Sequence, residues 1–296
     1  MTVKTVGVVG AGSMGSGIAN VFALNGYNVV LRDIEERFVQ GGLDRIDKFM
    51  SKSVQKGKIT EEAKQEVLSR ITLTTDLQDL KDVDLVVEAV LEDMDLKQSV
   101  FSQLDEIVRE DVILATNTSS LSITEIAAAT KRPDRVAGMH FFNPAQIMKL
   151  VEVVRGYSTS DETVATLKQV SEVLKKEVVE VKKDVPGFIV NRIMIPQFIE
   201  AIKVLEEGIA TKEDIDKAMR YGLNHPMGSF ELQDYAGVDI GYHVMEYFQK
   251  EFADNRWAPP LLLKNMMRAG RFGKKAGAGF YDYNTEKKQE KEAVTK

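Results

Sequence analysis

The chain has 296 residues, 44% of them hydrophobic, and its 39 basic and 45 acidic side chains give a net charge of −6. This length favours two domains, and the acidic balance argues against nucleic acid or a membrane surface as the partner. The absence of cysteine excludes disulfides, a thiol nucleophile and a thiolate metal site. Neither a signal segment nor a run of ~18 apolar residues occurs, so we expect a soluble, cytoplasmic protein.

The first part of the chain alternates short β-branched runs with longer amphipathic segments. Near-continuous apolar strands separated by helices indicate a mostly parallel sheet covered on both faces. One run, at residues 149–154, follows the preceding run after only a short turn, so it can join the sheet in a different direction. The predicted strands lie at residues 6–9, 29–31, 85–87, 112–114, 136–138, 149–154 and 178–181.

The D-V-P-G segment at residues 184–187 indicates a domain boundary, because the β-branched runs end there. Residues 188–207 have helical periodicity with Pro196 inside, which predicts a kinked helix. Further helices are predicted at residues 209–221, 238–252 and 259–269, and the charged end at 286–296 is expected to fray. We therefore predict an α/β domain over residues 1–185 and an all-α domain over residues 186–296.

The segment G-A-G-S-M-G at residues 10–15 fits the G-x-G-x-x-G pattern between a predicted strand and a predicted helix. Its glycines permit a tight turn, leave room for a pyrophosphate and let helix and strand approach closely. Asp33, about twenty residues further on, would bind the adenine ribose and repel a 2′-phosphate. The pattern predicts a Rossmann-type, doubly wound domain that binds NAD, although Arg32 leaves NADP open and an ordinary βαβ turn is the alternative. The predicted cofactor contacts are Gly10, Gly12, Ser13, Met14, Gly15 and Asp33.

Two further charged groups are candidates for cofactor binding or for coenzyme A binding. Glu92 and Lys97 follow the strand at 85–87, and ligands of open α/β sheets bind at the carboxyl ends of strands. Alternatively, they are solvated charges near a helix N-terminus. Lys48, Lys52 and Lys56 recur along one face of a predicted helix, beside Ser51, and could anchor the phosphates of coenzyme A. A solvated helix face is the alternative here as well.

His140 and Glu152 are the candidate reaction centre. His140 closes an apolar run, whereas Glu152 lies on the otherwise apolar face of a predicted strand, where an unpaired charge would be costly to bury. An imidazole titrates near neutral pH, and a paired carboxylate would orient the ring and raise its basicity. We therefore predict a general acid–base pair, with a satisfied structural histidine as the alternative.

Several motifs in order resemble the 3-hydroxyacyl-CoA dehydrogenase family, over about residues 3–285. They are G-A-G-S-M-G-S-G-I-A at 10–19, N-T-S-S-L at 117–121, H-F-F-N-P at 140–144, K-L-V-E-V at 149–153 and P-G-F-I-V-N-R at 186–192. The likeness is strongest to short-chain bacterial members, which implies NAD-dependent interconversion of 3-hydroxybutyryl-CoA and acetoacetyl-CoA. It also implies a homodimer, with the helical domain covering the substrate and mediating dimerisation.

The resemblance assigns roles to individual residues. It implies that Ser119 and Asn191 donate neutral hydrogen bonds to the substrate oxygens, alongside His140 and Glu152. Asn143 and Lys275 would contact the cofactor, and Ser51, Lys52 and Lys56 the coenzyme A portion. Ser229 stands where the family usually has proline, so the geometry of that loop is open.

Other interpretations of the same residues stay open. Ser119 could merely cap or turn the chain before a helix whose capping box is Ser122 and Glu125, and Asn191 could likewise be a helix cap. No G-x-S-x-G elbow supports a hydrolase, and no His/Asp/Glu spacing suggests a metal site. His225 is expected in a loop, and His243 is expected to be structural.

Two rival functions also remain. One is a β-hydroxyacid dehydrogenase acting on a free acid, but the lysine and G-x-x-x-x-N pattern of those enzymes is not found at the matching place. The other is a non-catalytic NAD-binding protein of the same fold. The sequence leaves acyl chain length, direction and the choice between NADH and NADPH open.

Overall fold

The computed structural model describes residues 3–284, and the charged segment 286–296 lies outside the described residues. Its N-terminal part is built on an eight-stranded sheet with the order β3-β2-β1-β4-β5-β6-β7-β8. All neighbouring strands are parallel except β6 and β7. The strands are β1 (Thr5–Val9), β2 (Asn28–Arg32), β3 (Ile71–Thr74), β4 (Leu85–Glu88), β5 (Ile113–Thr116), β6 (Val136–Phe141), β7 (Leu150–Arg155) and β8 (Glu177–Val181). The predicted mostly parallel, Rossmann-type sheet is confirmed.

Six helices cover the two faces of this sheet, and each face has its own apolar core. Polar side chains at several N-caps accept from the first turn, as Ser122 does from the N–H of Glu125 at 3.2 Å. The helices are α1 (Ser13–Leu24), α2 (Glu36–Gln55), α3 (Glu61–Ser69), α4 (Met94–Ile107), α5 (Ile123–Ala127) and α6 (Asp161–Val173).

Two features of the sheet follow from local length and composition. The connection between β6 and β7, residues 142–149, is too short for a crossover, so β7 runs antiparallel to β6. β3 was not predicted, because I-T-L-T at 71–74 lies on the sheet edge, is only partly buried and lacks a clear apolar run.

The described residues divide into two compact units after Phe188, close to the predicted boundary at 185/186. The second unit has its own core, built around Ile202, Phe230, Phe248 and Trp257. Its helices are α7 (Val190–Glu206), α8 (Lys212–Gly222), α9 (Ser229–Ala236), α10 (Val238–Phe252) and α11 (Leu261–Arg268). The predicted all-α domain is confirmed, and α7 continues through Pro196.

Helix α9 was missed because eight residues give little periodicity. Its N-cap is Gly228, whose N–H donates to the carboxylate of Glu231 at 2.9 Å. Within residues 3–284, the helices are all too short or too polar to traverse a lipid bilayer.

Candidate active site

The glycine turn, Asp33, Glu92, Ser119 and His140 lie at the carboxyl ends of the parallel strands. The segments after β1, β2, β4 and β5 all leave the carboxyl ends of parallel strands, and His140 lies near the same end of β6. Ligands of open α/β sheets bind at this edge. The alternation of buried strands and helices therefore brings together groups that are far apart in the chain.

The glycine turn after β1 has the shape that a dinucleotide requires. Gly10 has φ +100°, and a Cβ there would lie 2.5 Å from the carbonyl oxygen of Ala89. A Cβ on Gly15 would strike the carbonyl oxygen of Gly10 at 1.7 Å, whereas Gly12 faces open space. Since no side chain caps α1 at Gly12, the N–H groups of its first turn, at Ser13 and Met14, can face a pyrophosphate. These residues fit NAD.

Asp33 is held beside this turn by the backbone. Its Oδ2 accepts from the N–H of Ala11 and its Oδ1 from the N–H of Ile34, both at 2.7 Å. Each oxygen keeps a lone pair with which it can accept from a ribose hydroxyl. The guanidinium of Arg45 donates to the carbonyl oxygen of Ala11, and this hydrogen bond also holds the turn. Sequence reasoning missed Arg45, because no pattern links it to residues 34 positions earlier.

Arg32 is the residue that made NADP an alternative cofactor in the sequence analysis. Its side chain contacts the loop after β3. Its Nε donates to the carbonyl oxygen of Thr75 at 3.2 Å. Burial lowers the pKa of Arg32, although Asp33 and Asp76 act in the opposite direction.

The register of the only antiparallel pair among the described strands places Glu152 directly opposite His140. Nδ1 of His140 lies 2.7 Å from Oε2 of Glu152, and the two residues are 5% and 0% exposed. The rings of Phe142 and Phe188 lie 4.5 and 5.6 Å from the imidazole, between centroids. With Nδ1 donating to the carboxylate, Nε2 is the nitrogen that can exchange a proton with a ligand.

Ser119 lies in the turn after β5, which a carboxylate from the neighbouring segment holds. Oε1 of Glu92 accepts from the N–H of Ser119 at 2.9 Å and from its hydroxyl at 3.2 Å. At the other end of the turn, the side-chain oxygen of Asn117 accepts from the N–H of Phe141 at 2.8 Å. The turn is thereby tied to the strand that carries His140. The N-cap of α5 is Ser122, so Ser119 is not that cap.

Lys97 is not a solvated charge. It is 1% exposed, and its ammonium lies 2.7 Å from Glu88, which is fully buried, and 3.4 Å from Glu92. Burial raises the pKa of Glu92, but the charge of Lys97 and the hydrogen bonds from Thr118 and Ser119 outweigh it, so the pKa lies below its usual value.

The predicted lysine stripe lies on α2, with Lys48 and Lys52 exposed and Lys56 at the C-cap. The hydroxyl of Ser51 accepts from the ammonium of Lys64 at 2.8 Å, and Lys64 also pairs with Asp47 at 2.7 Å. Lys64 belongs to α3 and was not predicted, because the contact joins two helices.

The remaining candidates lie at scattered positions. Asn191 is the second residue of α7, whose N-cap is Ile189, so it is not the cap. Lys275, in the second unit, pairs with Asp239 at 2.7 Å, and Asn143 is exposed after β6.

His225 lies in the loop before α9, of which Ser229 is the first residue, and His243 is an exposed residue of α10. Among residues 3–284, no three His, Asp or Glu side chains are grouped so as to hold a metal ion.

Comparison with known proteins identifies the family that this chain matches. Residues 5–185 match the 3-hydroxyacyl-CoA dehydrogenase NAD binding domain, and residues 187–283 match the C-terminal domain of the same family. A 3-hydroxybutyryl-CoA dehydrogenase from Clostridioides difficile is 49% identical over 277 residues, covering 94% of this chain and 98% of the relative. A probable 3-hydroxybutyryl-CoA dehydrogenase from Deinococcus radiodurans is 47% identical, covering 94% and 99%.

A solved structure agrees with these relatives. The crystal structure of (S)-3-hydroxybutyryl-CoA dehydrogenase PaaH1 from Ralstonia eutropha superposes with a TM-score of 0.92 and 47% identity, covering 96% of this chain and all of that chain. The chain therefore belongs to the 3-hydroxyacyl-CoA dehydrogenase family of oxidoreductases, and residues 5–185 are its NAD-binding domain.

Proposed function

We propose that this protein interconverts (3S)-3-hydroxybutyryl-CoA and acetoacetyl-CoA with NAD as the cofactor. The observation that carries the proposal is the buried pair of His140 and Glu152, at the same sheet edge as a glycine turn that fits a dinucleotide. The short acyl chain is supported by the names of the two relatives and of the solved structure.

In the oxidative direction, His140 acts as the general base. Its Nε2 takes the proton of the 3-hydroxyl group, and Nδ1 keeps its hydrogen bond to Glu152, whose charge stabilises the imidazolium that forms. The glycine turn and Asp33 would hold NAD⁺, which would supply the acceptor for the hydride from C3; the alcohol would then lose one hydride and one proton and become a ketone. In the reductive direction the imidazolium returns the proton to the oxygen on C3.

The other assignments follow from the same proposal. Ser119 would hydrogen-bond the oxygen on C3, and Ser51, Lys52 and Lys56 would hold the phosphates of coenzyme A. The roles of Asn191 at the substrate and of Asn143 and Lys275 at the cofactor stay predictions.

A cytoplasmic homodimer is part of the same proposal, and light scattering of the purified protein tests its mass.

A substrate panel tests the reaction. Oxidation of NADH or NADPH is followed with acetoacetyl-CoA and, separately, with free acetoacetate. We expect turnover with acetoacetyl-CoA and NADH, and little with the free acid. Turnover of free acetoacetate alone would support the rival dehydrogenase, and cofactor binding without any turnover would support a non-catalytic protein.

The variant His140→Gln tests the mechanism. Because general acid–base catalysis contributes about 10²- to 10⁴-fold, kcat should fall by that order while the Kd of NADH changes little. The matched control is His243→Gln, since His243 is exposed and its ion pair is with Glu246, three residues away on the same helix. Full activity of His140→Gln would make His140 structural.

A further inference from the structure

The turn at the end of the first unit holds a bulky residue in a backbone conformation that favours glycine. The N–H of Phe188 donates to the carbonyl oxygen of Val185 at 3.1 Å, and Pro186 and Gly187 lie between them. Gly187 has φ +76°, which glycine adopts readily. Phe188 has φ +53° as well, and this is rare for a large side chain, because its Cβ approaches the following carbonyl oxygen. Such an outlier persists only where the surrounding contacts require it.

The side chain of Phe188 shows which contacts these are. It is 3% exposed and belongs to the apolar core that also contains Ile123, Val154 and Val181. The centroid of its ring lies 5.6 Å from that of the His140 imidazole, and the two planes make an angle of 64°. This edge-to-face arrangement is one that aromatic rings favour. The left-handed backbone of Phe188 therefore directs its ring onto the imidazole.

A carboxylate fixes the start of the same segment. Oδ2 of Asp184 accepts from the hydroxyl of Ser122 at 2.6 Å and from the N–H of Thr124 at 2.7 Å, at the N-terminus of α5. Four residues later, the ring of Phe188 is packed in the core. Because both ends of this short segment are held, its backbone cannot relax without moving the ring.

The imidazole needs this packing, because its hydrogen bond to Glu152 holds the ring at Nδ1. The torsion about the Cβ–Cγ bond of histidine is broad, so a hydrogen bond at one atom leaves the plane of the ring incompletely fixed. Phe142 packs against the imidazole with 4.5 Å between centroids and 52° between planes, and Phe188 adds the second aromatic contact. Proton transfer depends on the direction of Nε2, so the orientation of the ring affects the rate.

We propose that Phe188 is a positioning residue for the reaction: the edge of its ring fixes the plane of the His140 imidazole, and its left-handed backbone places the ring there. The inference rests on the proposed function, because it takes His140 as the general acid and base. A phenylalanine that only fills the core would stabilise the fold, and its loss would leave kcat unchanged in the protein that remains folded. A positioning residue changes kcat itself.

The first test separates orientation from packing. Phe188→Leu is compared with Phe101→Leu, which alters a fully buried phenylalanine of the same core on α4. For both variants, kcat, the KM of acetoacetyl-CoA, the Kd of NADH and the urea midpoint are measured. Because a displacement of about 1 Å can cost about 10²-fold, we expect Phe188→Leu to lower kcat about tenfold. The KM and the Kd should change less than about threefold, since orientation acts on the transition state, and Phe101→Leu should lower only the urea midpoint.

The second test asks whether the effect passes through His140. Phe188→Leu is combined with His140→Gln, and kcat is measured for both single variants and for the double variant. If Phe188 acts by orienting the imidazole, its substitution has no further effect once the imidazole is gone. The double variant should then match His140→Gln within about twofold.

The third test concerns the backbone of Phe188. Phe188→Gly and Phe188→Ala both remove the ring, but glycine adopts a positive φ without a steric penalty and alanine does not. We therefore expect similar losses of kcat in the two variants, about 10²-fold, and a higher urea midpoint for Phe188→Gly. An equal or lower midpoint for Phe188→Gly would contradict the assignment of the left-handed backbone.

Two further results would overturn the inference. In one, Phe188→Leu keeps kcat within about twofold of the wild type and lowers the urea midpoint as Phe101→Leu does, so that Phe188 only fills the core. In the other, the effects of Phe188→Leu and His140→Gln on kcat multiply in the double variant. If the glycine and alanine variants do not fold, the leucine variant decides by these same two criteria.

The proposed function and this inference fail in different ways. If the wild-type protein reduces acetoacetyl-CoA and His140→Gln does not, the proposed function holds, and the variants of Phe188 judge the inference alone. If the wild-type protein does not reduce acetoacetyl-CoA, or His140→Gln is fully active, the proposed function fails. The orientation of His140 then has no catalytic meaning, whatever Phe188 contributes to stability.

Discussion

Both units bury carboxylates, but they surround them with different partners. In the first unit, Glu152 pairs with an imidazole at 2.7 Å, and Glu88 pairs with an ammonium at the same distance. In the second unit, Asp234 accepts from the N–H groups of Phe280 and Tyr281 at 2.8 Å. An imidazole can exchange a proton near neutral pH and so can give its carboxylate a chemical use, whereas ammonium, hydroxyl and backbone donors hold theirs in place.

The buried carboxylates of the second unit also have specific hydrogen-bond partners. Asp216 accepts from the N–H of Phe230 at 2.8 Å and from the hydroxyl of Tyr281 at 2.9 Å. A Cβ on Gly279 would lie 1.9 Å from Oδ1 of Asp234, so the chain passes directly against this carboxylate. Burial alone therefore does not identify a catalytic carboxylate; the chemistry of its partner does.

The largest effect that tests this comparison is on catalysis. Glu152→Gln should lower kcat about 10²-fold or more, because a neutral amide neither stabilises the imidazolium nor fixes its tautomer. Asp234→Asn should keep kcat within about threefold but lower the urea midpoint, because it leaves buried donors with a weaker acceptor. Steady-state kinetics and urea unfolding of both variants check this. A reversed outcome, with Asp234→Asn inactive and Glu152→Gln active, would refute the distinction.

The largest effect on stability should come from removing the positive charge that lies next to a buried carboxylate. Lys97→Met leaves Glu88 buried without its cation, and breaking a buried ion pair costs about 3–5 kcal/mol of unfolding free energy. Lys64→Met is the matched control, since its partners Asp47 and Glu61 have 48% and 53% of their side chains exposed. Such pairs contribute about 0–1 kcal/mol. Equal losses in the two variants, measured by urea unfolding, would show that burial of the partner is unimportant.

Much of this fold could be predicted because its signals are local. The apolar runs locate seven of the eight strands, and helix α10 has the predicted bounds of 238–252. The partnership of His140 and Glu152 was accessible because a lone charge on an apolar strand face needs a partner. Arg45 and Lys64 could not be found in this way, since their hydrogen bonds depend on how α2 packs on the glycine turn and on α3. The direction of β7 was left open and is decided by the length of its connection.

Asp33 is an intermediate case. Backbone donors hold its carboxylate, as in the second unit, but it lies at the predicted cofactor site. It is only partly buried, so its remaining lone pairs can reach a ligand. Asp33→Ala should raise the KM of NADH about tenfold, the loss of a hydrogen bond to a charged group, and raise that of NADPH less or even lower it. Cofactor titrations with both nucleotides check this, with Asp44→Ala on the exposed part of α2 as the control. Unchanged discrimination between the two nucleotides would remove Asp33 from ribose recognition.

The smallest expected effect is on the pH dependence of stability, where Glu92 and Asp216 should act in opposite directions. The pKa of Glu92 is lowered on folding, because Lys97 and the hydrogen bonds outweigh burial. Its contribution is therefore present above the unfolded pKa of about 4.3 and is lost as the pH falls. Burial raises the pKa of Asp216, despite the hydrogen bonds that it accepts.

Ionisation of Asp216 therefore reduces stability as the pH rises through about 4. Unfolding free energies from urea titrations between about pH 3.5 and 6 should lose part of their rise with pH in Glu92→Gln and gain a steeper rise in Asp216→Asn. The same slope change in both variants would mean that partner chemistry does not set the sign of these shifts. The contrast between the two units would then reduce to depth of burial alone.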